Sequence, residues 1–294
     1  LKMKVKKQKT LINNQIKFIY DNLNPIKFAK DLTTIKKGEF KNFLFSEITI
    51  PKTVMTIEAS AFLGCKSLKQ ITIPSTVNQI DEYAFSGCSS LTQITIPNSI
   101  THLSEFLFNN CSSLTQISIP SSVTSIGDNS FAGCSCLEQI CIPSSVSYIG
   151  VNSFNCCSSL KQITIPPSVI EIGEYAFKGC KKLTEIIIDI YLTNVHDNAF
   201  DGCDSLEHLI FGSSVKIIKD IKCAFLQKVK CITVPETVTA IEDNGFIGHS
   251  SLVSINILSS LTFIGTSAFK NCKSLSQITI PSSITEIEFS CFYG

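Results

Sequence analysis

The 294-residue chain has no tryptophan, and charged residues make up only 17% of it against 44% hydrophobic residues. No apolar run reaches the roughly 18 residues that a transmembrane helix needs, so none is predicted. Ten prolines and 14 glycines are too few for a collagen-like or low-complexity chain. A net charge of +1 gives no general electrostatic reason to bind nucleic acid or an anionic membrane. The composition therefore predicts a compactly packed protein rather than a disordered one.

A repeat of 23 residues runs through most of the sequence. Phenylalanine marks it at Phe62, Phe85, Phe108, Phe131, Phe154, Phe177, Phe200, Phe246, Phe269 and Phe292. One position is missed, where Cys223 replaces the phenylalanine, but no insertion or deletion shifts the later units. A unit this small cannot bury its own apolar face and must stack on its neighbours. The sequence therefore predicts a solenoid.

Each unit predicts one short strand, one bend and one helical turn. The segment Leu68-x2-Ile71-x-Ile73 has the pattern of a strand, and Pro74, which lacks an amide donor, ends it. Gly or Asn lies two residues after phenylalanine in nine of eleven units, which favours a tight turn with positive φ. Ser or Thr lies three residues after the strand in ten of eleven units, where its hydroxyl is expected to hydrogen-bond the bent backbone. Stacking would align the strand isoleucines and the phenylalanines in two buried ladders.

The segment Ile-Pro-Ser-Ser-Val-x2-Ile-Gly-x3-Phe-x-Gly-Cys-x2-Leu at 119–137 resembles the BspA-like class of leucine-rich repeat, and the resemblance covers 45–294. It implies an α/β solenoid, a right-handed superhelix with a parallel concave β-sheet of about eleven short strands and short helical or 3-10 turns on the convex side. It also implies binding of other macromolecules rather than catalysis. Members of this family are often surface or secreted adhesion proteins.

Residues 1–41 hold eleven lysines and three acidic residues, a net charge of +8. We expect this segment to be a basic helical N-terminal cap, followed by the solenoid at 42–294. A first helix is predicted between Thr10 and Pro25. A second short helix is indicated by three further apolar residues, Phe28, Leu32 and Ile35. The alternative, a nuclear signal or nucleic-acid arm at 6–9, lacks interleaved aromatic residues.

No capping segment follows the last predicted strand, Ile278–Ile280, so we expect either a longer array or end-to-end self-association there. The sequence before residue 20 lacks the apolar stretch of a signal peptide, which favours a cytoplasmic location for the chain as given. The family resemblance instead implies the cell surface, and both locations stay open.

Eight of the 14 cysteines occupy one repeat position, directly after the Gly or its substitute. They are Cys65, Cys88, Cys111, Cys134, Cys157, Cys180, Cys203 and Cys272. Coils about 4.8 Å apart would permit disulfides, but each interior cysteine has two equivalent neighbours and no defined partner. We therefore expect a reduced ladder of small buried side chains, and no metal site.

Catalysis is not predicted. The four histidines, His102, His196, His208 and His249, have no Cys, Ser or carboxylate at a recognisable catalytic spacing, and no phosphate-binding loop occurs. No catalytic residue or cofactor is therefore assigned, and the chain is not expected to be an enzyme.

Outward-facing strand positions are the candidate binding residues. The regular positions form a glutamine ladder that includes Gln93, Gln116, Gln139 and Gln162, and a parallel Thr/Ser ladder. One interpretation is structural, with stacked amides and hydroxyls that satisfy one another. The other is a neutral, extended surface for a glycan or polypeptide.

The ladders break where Glu185, Ile187, His208 and Ile210 occupy the same positions and Tyr191 interrupts the following turn. Ile187 and Ile210 are predicted to be adjacent, as an apolar spot with a polar rim of the kind that often marks contacts, although drift in a tolerant repeat is equally consistent. The predicted function is non-enzymatic binding of a protein or extracellular-matrix-like ligand, adhesion-type, with no nucleic acid. The alternative is an intracellular scaffold or regulatory subunit that recruits an enzyme.

Overall fold

The structure is a computed structural model that describes residues 28–189, 195–219, 224–258 and 260–294. In these ranges the chain forms a parallel β-solenoid of about ten turns with almost no helix. Most coils contribute two short strands, here numbered β1 to β20 along the chain.

The first series holds the strands that the Leu-x2-Ile-x-Ile pattern predicts. Its members are β2 (Glu47–Thr49), β4 (Gln70–Thr72), β7 (Gln116–Ser118), β9 (Gln139–Cys141), β11 (Gln162–Ile165), β13 (Glu185–Ile188), β14 (His208–Phe211), β16 (Cys231–Val234), β18 (Ser254–Ile257) and β20 (Gln277–Ile278). The isoleucines at the ladder position of this series, among them Ile71, Ile117, Ile140, Ile163 and Ile186, are buried, which confirms the predicted isoleucine ladder.

The second series was not predicted. Its members are β1 (Thr34–Ile35), β3 (Thr56–Ile57), β5 (Gln79–Ile80), β6 (His102–Leu103), β8 (Ser125–Ile126), β10 (Tyr148–Ile149), β12 (Glu171–Ile172), β15 (Ile217–Ile218), β17 (Ala240–Ile241) and β19 (Phe263–Ile264). Two residues are too few to show a period-2 pattern, and for this reason the sequence does not reveal these strands. They form because neighbouring coils supply their hydrogen-bonding partners.

Strand pairing among the described residues is parallel. From β3 onward a residue pairs with the one 23 positions later, as Ile163 with Ile186, whereas β1 pairs with β3 at an offset of 22 residues, as Ile35 with Ile57. The first series is weakest around Gln93 and Thr95, which make only isolated bridges, to Gln70 and Ser118 respectively. The local sheet between β4 and β7 is therefore less regular than the stretch from β11 to β20.

The phenylalanine ladder is confirmed as the centre of the core. From Phe40 to Phe200, consecutive rings are stacked with centroids 5.0–5.8 Å apart and planes within 19° of each other. A second stack joins Phe246, Phe269 and Phe292. Cys223, which replaces a phenylalanine between the two stacks, lies outside the described residues.

Between the strands, around the phenylalanine position, the coils are joined by hydrogen-bonded turns. The N–H groups of Ser60, Phe62 and Gly64 donate to carbonyls of the next coil at 2.7–2.9 Å. Positive φ recurs two residues before and two residues after the phenylalanine, as at Asn129 and Gly133, and this prevents a helix from continuing. The predicted helical turns are therefore a minor feature, and the described residues contain one 3-10 helix, Ala224–Lys228.

Most hydroxyls at the Ser/Thr position hydrogen-bond the backbone as predicted, whereas Ser168 Oγ is buried without a hydrogen-bond partner. Ser122 Oγ donates to the carbonyl of Ile100 at 2.6 Å, and Ser145 Oγ donates to that of Val123 at 2.6 Å. In both cases the acceptor belongs to the preceding coil, so the hydroxyl joins two coils rather than closing a bend within one.

The cysteine ladder is buried and its described members are free thiols. Each thiol donates to the carbonyl of the phenylalanine one coil earlier, as Cys134 Sγ does to Phe108 at 3.2 Å. Burial raises the pKa of Cys111 to about 12. The Cys111 thiol therefore remains protonated, as a buried structural cysteine does.

The N-terminal end corrects one prediction. No helix contains Phe28, Leu32 and Ile35, because Thr34–Ile35 is strand β1, which pairs with β3. Phe40 stacks on Phe62 at 5.1 Å, so a coil has formed before residue 42. The first predicted helix lies outside the described residues, and the division into 1–41 and 42–294 stays a prediction. Across the described ranges, no helix is long and apolar enough to cross a membrane.

Candidate binding surface

The outward side chains of the first series form one continuous surface, here called the ladder face. Strand register places a row of side chains along it from β11 to β20: Gln162, Glu185, His208, Cys231, Ser254 and Gln277. A second row, two residues further along each strand, contains Thr164, Ile187, Ile210, Thr233 and Asn256. The repeat therefore brings residues 23 apart in sequence into direct contact.

Ile187 and Ile210 are register partners on β13 and β14, as their spacing predicts. Both are half-buried rather than fully exposed. With Glu185 and His208 they form what we call the isoleucine patch. Thr164 and Thr233 bound it along the same row, so a small apolar area is enclosed by polar groups.

His208 makes contacts that the sequence analysis missed. Its Nδ1 lies 3.3 Å from Oε2 of Glu185, and its Nε2 lies 3.1 Å from Oγ1 of Thr233. The sequence separations of 23 and 25 resemble no local motif, so only an alignment of the coils could have revealed the contacts. The Thr233 hydroxyl, the His208 imidazole and the Glu185 carboxylate are thus linked in series, which is the order found in enzymes whose hydroxyl nucleophile is activated by a histidine base. Here the connection lies on an open strand surface, where it fixes the imidazole ring at the rim of the patch.

Tyr191, the remaining predicted member of the patch, lies outside the described residues. Its neighbour Asp189 is described, and its Oδ1 accepts a hydrogen bond from the backbone N–H of Ser214 at 2.6 Å. The turns that follow β13 and β14 are therefore joined beside the patch.

A groove of about 600 Å³ opens on the ladder face nearer the N-terminus. We call it the amide groove, and its outward polar side chains are Gln70, Thr72, Gln93, Thr95, Gln116 and Ser118. Of the predicted glutamines, Gln93 and Gln116 line it. Gln139 pairs with Gln116 and continues the row, whereas Gln162 belongs to the part that leads to the isoleucine patch.

A second groove, of about 570 Å³, lies beside the second series and was not predicted. Four carboxylates line it, those of Asp81, Glu82, Glu105 and Asp128. Burial and the nearby carboxylate of Asp128, whose Oδ1 is 3.4 Å from the tyrosine hydroxyl, raise the pKa of Tyr148. In the described ranges, no group of three or more His, Cys, Asp or Glu side chains is arranged to hold a metal ion.

Comparison with known families identifies the class of protein that this fold defines. A model of the BspA type leucine-rich repeat region, with six copies, matches residues 10–135, 102–228 and 222–294. The chain therefore belongs to the BspA-type leucine-rich repeat family. Leucine-rich repeat proteins are generally protein-interaction modules that use extended solenoid surfaces.

Three solved structures of similar chains come from bacteria. A leucine-rich repeat protein from Bacteroides ovatus is 28% identical, with 86% of this chain and 84% of that one covered and a TM-score of 0.43. A leucine-rich cell surface protein from Faecalibacterium prausnitzii is 27% identical, with coverage of 88% and 87% and a TM-score of 0.41. The pneumococcal vaccine antigen PcpA is 19% identical, with coverage of 86% and 78% and a TM-score of 0.48. A search of curated proteins found no significant match.

Proposed function

We propose that this chain is a non-enzymatic, adhesion-type binding solenoid that engages a protein or extracellular-matrix-like partner through the ladder face. The observation that carries the proposal is the isoleucine patch, where Ile187 and Ile210 replace the polar side chains found elsewhere in the row. Protein interfaces typically combine a desolvated apolar centre with a polar rim. The patch has this composition on a small scale.

The scaffold beneath the patch supports such a role because it is rigid. Ile186, Ile188 and Leu209 lie in the core directly under the patch, each with no exposed surface. A surface that is already ordered loses little conformational entropy when a partner binds.

The proposal is tested with two matched double variants. Ile187→Asp with Ile210→Asp places two carboxylates in the patch, and Thr95→Asp with Ser118→Asp places two at the same row positions elsewhere. Binding to immobilised collagen, laminin and fibronectin is measured by biolayer interferometry, after thermal melts confirm that both variants fold. We expect the patch variant to weaken binding about tenfold or more, or about 1.4 kcal/mol, and the control to change it little.

Failure to bind any of these matrix proteins would contradict the adhesion-type proposal. Equal affinities for the two folded variants would contradict the assignment of the patch.

The second candidate is an intracellular scaffold that recruits an enzyme, and the free thiols favour it. Cys136, Cys141 and Cys156 are exposed and unbridged, as expected in a reducing compartment. Surface biotinylation of intact cells that express the full-length gene product separates the two candidates. Labelling favours adhesion, and protection equal to that of a cytosolic marker favours the scaffold.

A further inference from the structure

The amide groove differs chemically from the isoleucine patch although both lie on the ladder face. Its outward lining is three glutamines, two threonines and one serine, with no charged and no aromatic side chain. Between these polar groups, the edges of Ile71, Ile94 and Ile117 reach the floor of the groove, each 5–7% exposed. Ile73, which is only partly buried, is a further apolar residue of the lining. The groove is therefore neutral and combines hydrogen-bonding groups with an apolar floor.

The polar side chains of the groove do not satisfy one another. In the described part of the chain, no hydrogen bond joins the side-chain amides of Gln70, Gln93 and Gln116, although the strands place them side by side. The hydroxyls of Thr72, Thr95 and Ser118 likewise make no side-chain hydrogen bond there. The side chains of this region therefore do not form a ladder in which each satisfies its neighbour. Their amide and hydroxyl donors and acceptors remain available to a ligand.

The spacing of these groups is periodic. Each coil presents one amide and one hydroxyl, and neighbouring strands lie about 4.8 Å apart. A ligand built from identical units of similar length would repeat the same contacts in each coil, and repeated contacts add to affinity without any new kind of interaction. A pyranose ring in a linear polysaccharide has about this length, several hydroxyls that donate and accept, and C–H faces suited to the isoleucine edges.

A protein partner fits the groove less well. Protein interfaces are depleted in serine at their centres and depend mainly on aromatic and Arg anchors, which this lining lacks. Sulfated or uronic acid polymers need cationic partners, which the lining also lacks. We propose that the amide groove is a binding site for a neutral, unbranched polysaccharide that runs across the strands, with one sugar unit per coil.

The proposal is tested by isothermal titration calorimetry on the full chain. The neutral probes are cellohexaose, laminarihexaose and β-1,4-mannohexaose, and a heparin hexasaccharide is the charged probe. We expect at least one neutral hexasaccharide to bind with one-to-one stoichiometry, about tenfold or more tightly than its disaccharide, because a longer ligand contacts more coils. Absence of binding by all three neutral probes, or equal binding of heparin, would overturn the proposal.

The site is located with matched variants. Gln93→Ala with Gln116→Ala should weaken binding of the hexasaccharide about tenfold or more, because two of the three amides are lost. Gln277→Ala with Ser254→Ala, in the same row outside the groove, should leave binding unchanged. Equal losses in the two folded variants would place the ligand elsewhere and overturn the assignment.

The proposed polysaccharide site and the proposed protein site can be refuted independently of each other. Ile187→Asp with Ile210→Asp should leave the affinity for the hexasaccharide unchanged. If the groove variants instead weaken binding to a matrix protein and not to a sugar, the groove is part of the protein interface and the polysaccharide proposal is wrong.

Discussion

Backbone conformation at single residues determines whether a coil closes without strain. The position two residues after the phenylalanine has positive φ throughout the described coils and holds glycine in most of them. Cys156 occupies it with φ of 60°, in a region where L-residues other than Gly, Asn and Asp are disfavoured. The turn is formed all the same, because its N–H donates to the carbonyl of Lys178 in the next coil at 2.7 Å.

Cys156→Gly is therefore expected to stabilise the protein by about 1 kcal/mol, since removing the left-handed strain outweighs the added chain entropy of glycine. Urea unfolding monitored by circular dichroism measures the change. Cys136→Gly is the matched control, because this exposed cysteine has no positive φ, and it should lower stability slightly. A loss of stability in Cys156→Gly would contradict the strain argument.

Thiol reactivity is the second prediction at this scale. Burial raises the pKa of Cys111 to about 12, so its thiolate is scarce below that pH. Iodoacetamide at pH 8 should label Cys136, Cys141 and Cys156 in the native protein and leave Cys111 unmodified until denaturant is added. Peptide mapping by mass spectrometry over time reports each site, and native labelling of Cys111 at the rate of Cys141 would contradict the buried ladder.

At the scale of the element, the hydroxyl that follows most first-series strands couples neighbouring coils. Ser122→Ala removes the hydrogen bond to the Ile100 carbonyl and should cost about 0.5–1.5 kcal/mol. Ser121→Ala, at the exposed neighbouring position, should have little effect, and Ser122→Thr should retain most of the stability because Thr76 makes the same bond. Chemical denaturation ranks the three variants. Equal stabilities of Ser121→Ala and Ser122→Ala would show that the bond contributes nothing.

Elements differed in how far the sequence could predict them. The strand at 70–72 was predictable because its isoleucine alternation and Pro74 act locally. The strand at 79–80 was not, since two residues carry no pattern and depend on partners in other coils. The helix expected at Phe28–Ile35 failed for the same reason: helical spacing of three apolar residues was overridden by pairing of Thr34–Ile35 with the next coil.

At the scale of the molecule, the two phenylalanine stacks make each of their coils part of its neighbours' core. Phe131→Ala should cost about 3–5 kcal/mol, because it opens a cavity between two stacked rings. Phe292→Ala, at a ring that is 43% exposed and stacks on one neighbour, should cost about 1 kcal/mol. Differential scanning calorimetry compares the stabilities of the two variants. Similar losses of stability would mean that a ring stacked between two neighbours contributes no more than a ring at the end of the stack.

The same reasoning explains which parts of the candidate surface were predictable. A fixed repeat determines which residues share a row, so the neighbours Ile187 and Ile210 followed from counting. Contacts that depend on side-chain direction did not follow. The link from His208 to Thr233 joins residues of different coils and different rows. Glu82, Glu105 and Asp128 are 23 residues apart, so their shared groove follows from the repeat, whereas the approach of the Tyr148 hydroxyl to Asp128 depends on side-chain direction.

The inter-coil bonds have a consequence for how such a chain changes over generations. Phe62, Phe85 and Phe108 each present an equivalent ring, and each of the three donates its N–H to the equivalent carbonyl of the coil that follows. Deleting or duplicating a segment of one full period would therefore rejoin surfaces that already match. Recombination between repeats can alter the copy number, and with it the reach of the molecule, without requiring a new junction to be selected.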